Sequence, residues 1–146
     1  MTIGSVAKLY TSEVLGLAVQ LARYPLSDDF ASRGEARSRT CGSSLTMGLS
    51  QGDDGEITQI GMQVSACAIG QAAAAIFAAD AKGRTLADIE RAKASLEGWL
   101  HGAEEMPAWS GISTLEEARS YSSRHGAILL PWSAAIEALS KAQDSR

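Results

Sequence analysis

Two cysteines and two histidines are the residues through which this chain could do metal or sulfur chemistry. Cys41 opens Cys41-Gly42-Ser43-Ser44, and Cys67 closes Ser65-Ala66-Cys67 ahead of an alanine-rich stretch. Thiolates bind soft metals and attack sulfur, and imidazole binds zinc and iron, so Cys41, Cys67 and His125 form the candidate set. A free cysteine is also among the most buried residue types, and a simple core role stands beside the chemical one. His125 precedes Gly126, which suits either a ligand or a cap at a helix C-terminus; His101 precedes Gly102 and reads as a cap. Trp99, Trp109 and Trp132 read as packing residues.

Other chemistries fit less well. The sequence contains no phosphate-binding glycine loop, no HExxH and no nucleophile elbow. A Cys–His pair lacks a residue to orient the base, and Asp53 with Asp54 reads as turn chemistry. Seventeen acidic against thirteen basic residues give a net charge of −4, so no global basic field recruits nucleic acid or anionic lipid. The longest apolar run, 66–79, is too short to span a bilayer and reads as a buried helix. Residues 1–6 lack the regions of a signal peptide, which implies a reducing compartment, the cytoplasm, where thiols stay unpaired.

The elements that must position these residues follow from periodicity. Leu45, Met47 and Leu49 alternate, as do Ile60, Met62 and Val64, and Asp54-Gly55 between the runs is a hairpin signal. Pairing about that turn brings Cys41 and Cys67, at the outer ends of the hairpin 43–64, to one edge of the sheet. With Ser65 as cap, Cys67 falls in the first turn of a helix to about Ala79, facing the positive end of the helix dipole, which favours the form that binds metal. The pattern of 5–24 predicts a helix ended by Pro25, and 26–40 reads as a connection with an edge strand. Lys82-Gly83 is a break, after which Thr85 and Asp88 open a helix whose buried stripe is Leu86, Ile89, Leu96 and Leu100. Thr114 with Glu117 predicts a capping box on a helix ending near His125-Gly126, and a last helix begins around Pro131. Helix, hairpin, then helices is an α+β pattern: one domain over 1–146, with a small, mostly antiparallel sheet covered by helices.

Taken together, these motifs resemble the U-type iron–sulfur cluster assembly scaffold family, the IscU- and NifU-like proteins. Leu9-Tyr10 with Glu13-Val14-Leu15 is similar to the family's opening helix, and Cys41-Gly42 to its Cys-Gly-Asp motif before a strand. Asp53-Asp54-Gly55-Glu56-Ile57 resembles the hairpin turn, Cys67 the second cysteine, and Gly83-Arg84-Thr85-Leu86 the family's Gly-Lys-Thr-Leu. The segment 124–132 is similar to the one carrying the third cysteine, which appears here as Gly126; the aspartate appears as Ser43 or Ser44, and His125 matches a histidine of one branch.

The resemblance implies a non-enzymatic scaffold that transiently binds iron or a nascent iron–sulfur cluster, with Cys41, Cys67 and His125 as ligands. It also implies a cysteine desulfurase and iron–sulfur acceptor proteins as partners. Three donors leave one coordination position for water, a backbone atom, Ser43, Ser44 or a second subunit of a homo-oligomer. The alternatives are a paralogue that binds no cluster and acts as an interaction or regulatory module, and a zinc-binding structural domain.

Overall fold

The computed structural model describes residues 9–39 and 42–144, so Cys41 and the first residues of the expected N-terminal helix lie outside the described residues. Helix α1 runs Ser12–Gln20 and passes into a 3-10 turn, Leu21–Arg23. Its start is set by Thr11, whose hydroxyl accepts the Val14 N–H at 3.2 Å. Three strands follow, β1 (Ser32–Arg37), β2 (Ser44–Gln51) and β3 (Ile57–Ser65), then α2 (Ala68–Ala81) and α3 (Leu86–Leu100). Two 3-10 segments, Ile112–Ser120 and Ser122–Arg124, lead into the closing helix α4 (His125–Asp144). The architecture is α+β, as the pattern predicts. Among the described residues, no helix is long and apolar enough to cross a membrane.

The sheet is an antiparallel meander in the order β1-β2-β3. The two alternating runs pair residue for residue, Leu45 with Val64, Met47 with Met62 and Leu49 with Ile60, so each apolar side chain faces one core. The turn is wider than two residues: Gly52 N–H donates to the Glu56 carbonyl, and Gly55 takes φ +83°. On the opposite face the Phe30 ring lies over the paired glycines Gly48 and Gly61, where a Cβ would stand 2.6 Å from it in either case.

Each sheet edge finds hydrogen-bond partners at particular positions, which limits the backbone groups left for pairing with another strand. Beside β3, the Tyr24 carbonyl accepts the Met62 N–H, and the α2–α3 turn pairs with Ile57. Beside β1, the Glu137 carboxylate of α4 accepts the Glu35 N–H at 2.8 Å. That bond, aided by Lys141, holds the Glu137 carboxyl below its usual range against the opposing effect of burial.

Helix α2 is apolar all round and correspondingly central, with Ile69 through Ala78 buried apart from Gln71. Phe77 stacks on Trp109 and meets Trp132 edge-on, each at 5.3 Å, so two of the three tryptophans join one aromatic core. Trp109 Nε1 donates to the Ile76 carbonyl at 3.0 Å. Helix α3 is capped by Thr85 as predicted, and Asp88 completes a capping box with it; its stripe of Ile89, Leu96 and Leu100 is buried together with Trp99, while Leu86 is half-buried.

Three expectations need correction. Ser65 is the last residue of β3, paired with Ser44, and the cap of α2 is Cys67 itself. Thr114 caps nothing, because 112–120 is a 3-10 segment: Ile112, Leu115 and Ala118 recur every third residue, and the tighter helix buries all three. The last helix starts at His125, and Pro131 lies inside it. The ring removes one helical hydrogen bond, but Ala127, Ile128, Leu130 and Trp132 are all buried around it, and that packing carries the helix through.

The loop before the 3-10 segment is tied down by Asp80, which pairs with Arg84 at 2.7 Å and accepts the Ser110 N–H at 3.1 Å. Burial raises the affinity of this carboxyl for a proton, but the Ser110 N–H and Arg84 outweigh it and hold Asp80 below the usual 3.8. A depressed carboxyl pKa stabilises the fold at neutral pH, and that contribution fades as pH falls from about 4 through the lower folded value. Asp80→Asn is therefore expected to cost about 1 kcal/mol at pH 7, allowing for solvent screening, and nothing at the acid end. Urea unfolding of both proteins at neutral and acid pH checks this.

Candidate functional site

Three segments meet at one end of the sheet. Residues 38–43 join β1 to β2, and the Ser38 N–H donates to the Ser43 carbonyl at 2.8 Å to close that loop. Gly42 takes φ +69°, a left-handed conformation that suits glycine. At the same end Ser44 pairs with Ser65, from which the chain passes through Ala66 to Cys67 and into α2. The third segment is the start of α4. A Cβ built on Gly70 would stand 3.2 Å from Ala127 Cβ and 2.7 Å from Ala66 Cβ, so the first turns of α2 and α4 touch through small residues.

Cys67 is a free, half-buried thiol at the N-cap of α2, with φ −66° and ψ 171°. Its side chain makes no capping hydrogen bond, which leaves the sulfur uncommitted to the helix. Its carbonyl accepts the Gln71 N–H at 2.9 Å, and the Gln71 side chain donates to the Ala66 carbonyl, also at 2.9 Å. Gln71 thus fixes the chain on both sides of the thiol.

His125 begins α4 and is at the same time the C-cap of the 3-10 turn Ser122–Arg124, its backbone N–H donating to the Ser122 carbonyl. Its Nε2 lies 3.0 Å from the Arg119 carbonyl, and an imidazole facing a carbonyl donates, which leaves Nδ1 as the ring's acceptor. Arg119 is itself anchored, donating to the Trp99 and Ala103 carbonyls at 2.9 Å each. The His125 ring also stands edge-on to His101, centroids 5.9 Å apart. His101 is the C-cap of α3, its Nδ1 2.8 Å from the Glu97 carbonyl, as its position beside Gly102 predicts.

The structure thus brings the helix starts of Cys67 and His125 together but turns the His125 ring toward Arg119 and His101. Among the described residues, no three His, Cys, Asp or Glu side chains group closely enough to hold a metal ion. Cys41 lies outside the described residues, so the expected set of Cys41, Cys67 and His125 is not represented there. Sequence reasoning missed the Arg119 tether of His125, which no local spacing signals because its anchors are on other elements.

No protein-family model and no curated protein matches the chain. Solved structures do. A nitrogen-fixing NifU-like protein (N-terminal) from Brucella abortus superposes with a TM-score of 0.83 and 25% identity, covering 97% of this chain and 99% of that one. A putative iron–sulfur cluster assembly scaffold protein for the SUF system from the thermophile Fervidobacterium islandicum AW-1 superposes with a TM-score of 0.78 and 20% identity, covering 90% and 96%. The solved structures support the resemblance to the U-type iron–sulfur cluster assembly scaffold family, and this chain has that family's fold.

Proposed function

We propose that this protein is an iron–sulfur cluster assembly scaffold that holds iron or a nascent cluster transiently as cargo and does not itself act as an enzyme. Cys41, Cys67 and His125 are the proposed ligands. The observation that supports this is the convergence of three elements at one sheet end: Ser38 and Ser43 at the facing ends of β1 and β2, the Cys67 cap and the first turn of α4. Thiolate sulfur is the donor that iron–sulfur clusters require, and a cap position with no capping bond leaves Cys67 free to turn toward a cargo. His125 would contribute through Nδ1, because Nε2 is occupied by the Arg119 carbonyl.

The proposed partners are a cysteine desulfurase that supplies sulfur and acceptor proteins that take the finished cluster. The proposed location is the cytoplasm, and the proposed organisation is a single domain over 1–146. The test is cluster transfer. The chain, loaded without oxygen from ferrous iron, cysteine, a cysteine desulfurase and a thiol reductant that brings the delivered sulfur to sulfide, is mixed with a metal-free ferredoxin. The acceptor's visible absorbance should rise as the scaffold's falls. A chain that takes up no iron and sulfide, or loads but never releases, contradicts the assignment.

A second function is favoured by one observation: His125 is already committed at Nε2, and Gly126 stands where the resemblance puts a third cysteine. On that account the fold serves as an interaction module without cargo. Gly126→Cys separates the two. Gly126 lies in a helix, so a side chain there meets no backbone penalty, and an added thiol should raise iron retention by about tenfold if the site is a working one. Iron retained after desalting, compared with the unaltered chain, is the readout, and an unchanged value favours the interaction module.

A further inference from the structure

A cavity of about 370 Å³ opens between the β1–β2 loop, α3 and the first turns of α4. Every charged side chain lining it is a cation: Arg37 and Arg39 from the strand end and loop, and Lys93 from α3. The hydroxyl-bearing Ser122 and Ser133 and the backbone of Gly126 share the wall, above an apolar floor that includes Leu129. This is unusual within the molecule. The chain as a whole is acidic, at −4, and three other surface cavities each include carboxylates, among them Asp54 with Glu90, Glu116 with Glu117, and Asp88.

Neither arginine side chain makes a hydrogen bond or ion pair among the described residues. Lys93 reaches only Glu97 of its own helix, at 3.6 Å. Ser38, between the two arginines, is buried, and the arginines on either side of it are exposed. Guanidinium groups present planar forks that match carboxylates, and like charges gathered in a concave wall repel one another until an anion joins them.

We infer that this cavity binds a small organic polycarboxylate, its carboxylates on Arg37, Arg39 and Lys93 and its carbon skeleton on the Leu129 side. The volume falls in the range of small-molecule sites and far exceeds one inorganic anion, and the apolar floor has no use for a bare ion.

Calorimetric titration of citrate into the full chain, free of added metal, tests this. The expected result is saturable one-to-one binding that weakens with salt. It should fall about tenfold in Arg37→Gln and in Arg39→Gln, because each removes a charge-assisted contact. Arg33→Gln, on the same strand but paired with Asp28 and outside the cavity, should leave it unchanged. All three positions are exposed, and circular dichroism confirms that the variants are folded. Absence of citrate binding, or equal binding in all variants, overturns the assignment. Inorganic phosphate binding as tightly as citrate would reduce the site to a general anion patch, and tighter binding of an oligoglutamate peptide would make it a protein contact; either also overturns it. Since the titration involves no iron, its outcome is independent of whether the chain assembles clusters.

Discussion

Replacing Cys67 by alanine is expected to reduce iron retained after anaerobic reconstitution by at least about tenfold while leaving the fold in place. The two effects separate because of where the thiol sits. As the N-cap of α2 it makes no side-chain capping bond, so the helix loses no cap when the sulfur is removed. It is half-buried and packs at the margin of the core, so truncation should cost only about 1 kcal/mol. Gln71 continues to hold the backbone on both sides of residue 67 in the variant. Metal analysis after desalting, with thermal unfolding alongside, reads both quantities. Iron that stays at the level of the unaltered chain would remove Cys67 from the ligand set. A large loss of stability with no iron to lose would mark it as a buried structural residue.

The second large effect is on the frame. Gly34→Ala is expected to destabilise the fold by about 3 kcal/mol. A Cβ on Gly34 would press on the Ala134 carbonyl oxygen and stand 2.5 Å from the Ala138 nitrogen. Both are backbone atoms of α4, which cannot swing aside as a side-chain tip can. Relief requires α4 to lift from β1, which would also strain the bond between Glu137 and the Glu35 N–H. Since α4 carries His125 and Gly126 in its first turn, the displacement should reach the candidate site and lower iron retention too. Gly16→Ala is the matched control. Gly16 lies in exposed α1 with nothing within 4 Å of a built Cβ, and alanine there should stabilise by about 0.5 kcal/mol. Urea midpoints of the two variants should therefore move in opposite directions.

Much of this was legible in the amino-acid order. The hairpin was, because two runs with period two can bury Leu45, Met47, Leu49, Ile60 and Met62 in only one register. The Thr85–Asp88 box was, because a capping box is local chemistry complete within four residues. Signals failed where distant packing overruled local preference. Thr114 and Glu117 have the spacing of a box, yet burial of Ile112, Leu115 and Ala118 selects a 3-10 turn in which the box cannot form. Pro131 looks like a helix start, yet the apolar residues before it extend α4 back to His125. Ser65 looks like a cap, yet its pairing with Ser44 keeps it in the sheet and moves the cap to Cys67. For the site, the arrival of Ser44 opposite Ser65, two residues before Cys67, followed from strand pairing alone. The contact of α2 with α4 through Gly70 and Ala127, the anchoring of Arg119 on Trp99 and Ala103, and the gathering of Arg37 and Arg39 with Lys93 join residues far apart in the chain. No periodicity encodes them.

The most direct test of the central claim is the stoichiometry of iron and acid-labile sulfide on the full chain after reconstitution without oxygen and removal of unbound ions. A scaffold holds both, in comparable amounts and in a form that a chelator strips slowly. A chain that emerges with neither, under conditions that load a competent cluster protein in parallel, contradicts it.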